Sequence, residues 1–139
     1  MAATASRNTQ TRQLRTQLAI PMKAGAKVYE GCLVAVDATG YLINGATATA
    51  LIVMGIADKD YDNTSGSSGD VVANVLCCQA YMGNSGSDAV TQAHVGSTIY
   101  MVDNDTVSKT SATSTESAAG ICTGLDAGGV WVSLAVGIV

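Results

Sequence analysis

Cys32-Leu33-Val34-Ala35-Val36 runs into Asp37-Ala38-Thr39-Gly40 and returns through Tyr41-Leu42-Ile43. Two short apolar, β-branched runs joined by a turn of Asp, Thr and Gly spell a β-hairpin. The same grammar continues outward from it. Val28-Tyr29 precedes it across the break Glu30-Gly31, Asn44-Gly45 closes it with a second turn signal, and Leu51–Ala57 reads as a buried strand. Asp58–Asp70, rich in acids, Ser and Gly, is the clearest loop. Beyond it Val71–Met82 reads as one long strand and Gly83-Asn84-Ser85-Gly86 as a turn. Ser87–Val95 is the single helical segment, short, with Ser87 or Asp88 as its cap. Ile99–Val102, Thr106–Lys109, Gly120–Leu125 and Val130–Val136 complete the set of strands, with Ser108–Ser117 an exposed loop and Asp126-Ala127-Gly128-Gly129 the last turn.

Many short strands at regular spacing predict an all-β, mainly antiparallel fold, a compact β-barrel or sandwich. An internal echo points to two related β modules. Ala24–Tyr29 resembles Val95–Tyr100, each is followed by a Val-Asp turn (Val36-Asp37, Val102-Asp103), and each then reaches a Gly-Ile strand (Gly55-Ile56, Gly120-Ile121).

Composition sets the bounds. At 139 residues the chain suits one domain, or two small lobes. Apolar residues make up 47%, charged residues 13% and aromatics 4%, with no Phe and one Trp, so the core must be built from Ala, Val, Ile and Leu. Such a chain is not disordered. Its longest apolar runs, Ala50–Ala57 and Val130–Val139, are about half the ~20 residues of a membrane helix. Residues 1–17 lack the apolar stretch of a secretory signal. Cys32, Cys77, Cys78 and Cys122 contain no Cys-x-x-Cys spacing and read as small hydrophobes of an intracellularly assembled protein.

Charge is unevenly placed. Arg7, Arg12, Arg15, Lys23 and Lys27 fall within the first 27 positions without an acid among them, leaving two basic and eleven acidic side chains for the rest. The reading is an extended basic N-terminal arm, residues 1–20, on an acidic β-rich domain, residues 21–139. The body should repel nucleic acid and acidic membranes, and the arm has no aromatic residues to stack bases. Leu14–Ile20, followed by Pro21, reads as an edge strand or extended arm. Arg7, Arg12 and Arg15 are the candidate partner-binding residues, because a guanidinium fork pairs with acids on a neighbour.

Reactive chemistry is sparse. His94 is the only histidine and lies near the expected helix end, where an imidazole meets terminal carbonyls. No zinc-type spacing and no phosphate-binding Gly-Lys loop occur. Asp58-x-Asp60-x-Asp62-Asn63 has the alternating acids of a calcium loop, but the sixth position is Asn63 instead of Gly and the twelfth is Gly69 instead of Glu. It reads as a solvated acidic turn. Trp131 and the five tyrosines are too few for a broad sugar-binding platform, and several look buried by pattern. No catalytic residue, metal, cofactor or small-molecule substrate is expected.

An ordered series of segments carries a resemblance. Lys27–Asp37, Gly55-Ile56-Ala57-Asp58 with Asp62-Asn63, Ala80–Gly86, Asp88-Ala89-Val90-Thr91, His94-Val95-Gly96 through Tyr100, Val102-Asp103, Ala119-Gly120-Ile121 and Gly129-Val130-Trp131-Val132 together resemble the small capsid decoration (cement) proteins of tailed bacteriophages and prophages. The similarity spans roughly residues 20–136. It implies a β-rich virion protein, often a homotrimer, that binds the outer surface of the expanded head and clamps neighbouring major capsid protein subunits. Other virion roles (tail-tube, head-completion or fibre component) are the alternative within the same class. A small enzyme or carbohydrate-binding domain is the alternative outside it.

Overall fold

The computed structural model describes residues 16–134. Seven strands come first: β1 (Thr16–Pro21), β2 (Lys27–Val28), β3 (Leu33–Val36), β4 (Leu42–Asn44), β5 (Ile52–Ala57), β6 (Tyr61–Asp62) and β7 (Val72–Cys77). Then come β8 (Gln79–Asn84), a 3-10 turn (Gln92–His94), β9 (Thr98–Met101), β10 (Thr106–Ser108), β11 (Ser117–Asp126) and β12 (Gly129–Ser133). The fold is all-β, as the strand grammar predicts. One sheet has the order β1-β7-β5-β3-β4, a closed barrel has β10-β8-β12-β11-β9, and β2 pairs with β6. Among the described residues no helix is long and apolar enough to cross a membrane.

Two sequence expectations are corrected. The stretch read as one strand, Val71–Met82, is two: it breaks at Cys78, with β7 in the open sheet and β8 in the barrel. The helix expected over Ser87–Val95 is replaced by the 3-10 turn Gln92–His94. The cause is Asn84. Its amide donates to Val90 O at 2.9 Å and its carbonyl accepts from Val90 N at 2.8 Å, so both backbone groups of Val90 are bonded outside any helix. Thr91 follows with extended backbone, φ −122°.

The two sheets are one five-stranded design made twice. β1, β3, β4, β5 and β7 correspond to β8, β9, β10, β11 and β12, with the same neighbours in the same order. The registers agree residue by residue. Val36, Ala35, Val34 and Leu33 oppose Ile52, Val53, Gly55 and Ile56. Met101, Tyr100, Ile99 and Thr98 oppose Ser117, Ala118, Gly120 and Ile121. Each ladder therefore carries a bulge at the same place, the extra residue being Met54 or Ala119. Closure also corresponds: β8 and β10 pair in parallel through Asn84 and Val107, and in the open sheet the matching positions, Met22 and Leu42, form an isolated parallel bridge.

Gly55 and Gly120 occupy equivalent places for one reason. A Cβ on either would be driven into a backbone carbonyl of the next strand, Leu76 O or Ser133 O. These carbonyls belong to the partners of Ile56 and Ile121 in the two ladders. The Gly-Ile echo thus marks the true repeat. The Val28-Tyr29 echo does not, because β2 lies outside the sheet and β3 is the counterpart of β9. The Val-Asp echo is displaced by one residue, since Val36 corresponds to Met101.

Each unit has its own core. Val34, Val36, Leu42, Ala57 and Val75 fill the first, with Ile20 and Met22. Their counterparts Ile99, Met101, Val107, Cys122 and Val132 lie in the second, with Met82. β3 is buried on both faces. Its Leu33 and Ala35, with Val53 of β5, pack into the second core and fuse the two units.

Candidate interaction surface

Arg7, Arg12 and Arg15 lie outside the described residues. What the structure places is the root of their segment. Thr16, the first described residue, opposes Cys77 in the β1–β7 ladder. Leu134, the last, donates its backbone N–H to Cys78 O at 2.9 Å. The segments before Thr16 and after Leu134 therefore join the body on either side of the Cys77-Cys78 step between the two sheets. The last residues of the expected arm, 16–20, form β1, which is held to β7 by a ladder that continues through Pro21.

The clearest surface feature is aromatic. Tyr81 on β8 and Trp131 on β12 stand directly opposite each other. Their ring centroids are 5.2 Å apart with planes tilted by 57°, within the distance range of favourable aromatic pairs. They are 44% and 40% exposed. The Tyr81 ring lies over Gly129, where any side chain would displace it. Its hydroxyl donates to the Asp126 carboxylate, and that bond, together with partial burial and the Asp126 charge, raises the phenol above its ordinary pKa. Thr123 Oγ1 donates to Gln79 Oε1 at 3.1 Å beside the pair. No tyrosine and no tryptophan of the described residues is fully buried, which corrects the expectation from pattern. The signal was present in the sequence: Val130 and Val132 both face the core, and period-two alternation then turns Trp131 outward.

Two other rings carry cations. Lys27 Nζ stands 5.5 Å from the Tyr29 centroid, and Lys59 Nζ 5.5 Å from the Tyr61 centroid. Lys23 is paired with Asp37.

The acidic stretch has the geometry of a turn. Asp58 accepts from Tyr61 OH at 2.7 Å, Asp60 from Glu30 N at 2.9 Å, and Asp62 from Thr64 N at 2.9 Å and Thr64 Oγ1 at 2.6 Å. The Thr64 bonds hold the Asp62 carboxyl below the usual carboxylate range. The three carboxylates serve different partners. Among the described residues no group of three or more His, Cys, Asp or Glu side chains is placed to hold a metal ion. Asn63 is the structural centre of the loop: it is 2% exposed, and its Nδ2 donates to Lys23 O and Ser67 O, each at 3.0 Å.

His94 reaches backward. Its Nδ1 accepts from Thr91 N at 3.0 Å, with Thr91 Oγ1 also at 3.0 Å, instead of meeting terminal carbonyls. Burial, with the nearby Asp105, Asp60 and Asp103 charges, pushes the Cys32 thiol up, away from the thiolate a nucleophile needs. A scan against protein-family models, a search of curated proteins and a search of solved structures each find no match to this chain.

Proposed function

We propose that this protein is a structural component of a tailed-phage virion: a capsid decoration (cement) protein that binds the outer surface of the head, as a homotrimer, and stabilises contacts between major capsid protein subunits. The ordered resemblance across residues 20–136 is the starting point. The observation that carries the reading is β1. A clamp must transmit load from its gripping segment to its body. β1 joins the arginine-bearing segment to the body through six consecutive ladder pairs with β7. Among the described residues its other edge meets β4 only through the Met22–Leu42 bridge, and an edge of this kind suits strand addition by a neighbour. Symmetry repetition multiplies modest contacts into tight attachment.

The test is compositional and hydrodynamic. Quantitative mass spectrometry of purified particles should find the chain at a copy number comparable to that of the major capsid protein, and light scattering should give a trimer mass. Presence at the low copy number of a connector ring, or absence from particles, would overturn the proposal. A deletion that probes the arm should stop at residue 15, because removing 16–20 takes away a strand whose Ile20 is part of the first core.

A further inference from the structure

We propose that the outward face formed by Tyr81, Trp131 and Asp126 is the docking site of the chain's own N-terminal segment, residues 1–15, with an arginine guanidinium stacked on the aromatic pair and facing the Asp126 carboxylate. The docking belongs to the free protein and does not depend on the virion role, in which the same segment leaves this face for the shell.

The molecule contains its own control. In the β1–β7 ladder the positions equivalent to Tyr81 and Trp131 are Ala19 and Asn74, which also oppose each other directly. The same five-stranded design is thus built once with Ala and Asn at these places and once with Tyr and Trp. The Tyr81 ring covers Gly129, whose counterpart in the first unit is Val72, but Trp131 beside it still leaves 40% of its surface exposed. Exposed adjacent aromatic rings beside a carboxylate offer a cation two attractions at once: the negative faces of the rings and a formal charge.

Charge and reach select the occupant. Residues 16–134 carry four lysines against eleven carboxylates, a net charge of −7. All three arginines of the chain stand in residues 1–15, with no acid. Lys27 and Lys59 already sit over Tyr29 and Tyr61, and Lys23 holds Asp37. Geometry favours the chain's own segment. Thr16 opposes Cys77, a separation of about 5 Å across a ladder. From Cys77 to Tyr81 is four peptide units, at most about 15 Å. The nine residues from Thr16 back to Arg7 span up to about 30 Å when extended, so the segment covers the distance with slack.

Trp131 is the only tryptophan, which makes its fluorescence a reporter of this one site. The experiment is acrylamide quenching of the full chain against the full-length triple variant Arg7→Gln/Arg12→Gln/Arg15→Gln, with far-UV spectra confirming that both are folded. Docking predicts a higher quenching constant in the variant, because loss of a surface cation–π contact lowers the docked-to-free ratio about two- to fivefold. The unaltered chain should reach the same value in 1 M NaCl, where a contact of this kind is screened. Asp126→Asn should give an intermediate value. The protection must not change on dilution. Protection that disappears on dilution would assign the site to the segment of a neighbouring copy and overturn the own-chain docking. Equal quenching in all samples would overturn the site itself.

Discussion

At the scale of single residues, glycine separates shape from habit. Gly55 and Gly120 sit where a Cβ would strike a carbonyl of the adjacent strand, whereas Gly124 has open space and an ordinary φ. Gly55→Ala and Gly120→Ala should each destabilise the fold by about 1–3 kcal/mol, as overpacking does. Gly124→Ala should stay within about 0.5 kcal/mol. Denaturant melts of the three variants measure this, and equal effects at Gly120 and Gly124 would contradict the bulge geometry. A second residue-scale prediction concerns charge. The Lys23 ammonium bonded to Asp37, helped by Thr39, holds that carboxyl down at about 2. A depressed folded pKa means that the pair's contribution is complete above the ordinary carboxylate range and is lost as pH falls towards about 2. Lys23→Gln should raise the Asp37 titration midpoint, read by NMR of its carboxyl carbon. An unmoved midpoint would show that Lys23 is not the cause.

Elements show why the sequence was legible in some places and silent in others. The hairpin around Asp37–Gly40 was readable because its turn residues and its apolar runs agree. The β7–β8 boundary was not, because Cys77-Cys78 carries no glycine or proline to mark a change of sheet and alternation continues on both sides. The segment Ser87–Val95 misled for a different reason: its local signals suit a helix, but the Asn84 side chain, from outside the window, takes both backbone groups of Val90. Asn84→Ala should therefore cost about 1–3 kcal/mol by leaving these groups without their partner. Hydrogen exchange at the Val90 amide should accelerate in the variant, and unchanged exchange would mean that the turn is held by something else. The aromatic site was legible in principle from the Val130-Trp131-Val132 alternation, but Tyr81 joins it only through the β8–β12 register, which no local pattern encodes.

For the whole molecule, β3 decides the behaviour. Because its two faces feed both cores, the units should unfold together. Gly55→Ala, placed in the first unit, should lower the midpoint reported by Trp131 fluorescence in the second as much as the midpoint reported by far-UV circular dichroism. Divergent midpoints would mean that the units are independent. A cooperative pair of five-stranded units, one open and one closed, with a laddered strand leading into an arginine-bearing segment is a body suited to bearing load between larger partners. The measurement that bears most directly on this account is co-sedimentation of the purified full chain with expanded phage heads that lack decoration. The account predicts saturable binding to the outside of the heads, weakened by deletion of residues 1–15, and heads that withstand higher temperature once coated. Protein that stays in the supernatant at every concentration, with heads no more resistant than before, would contradict it.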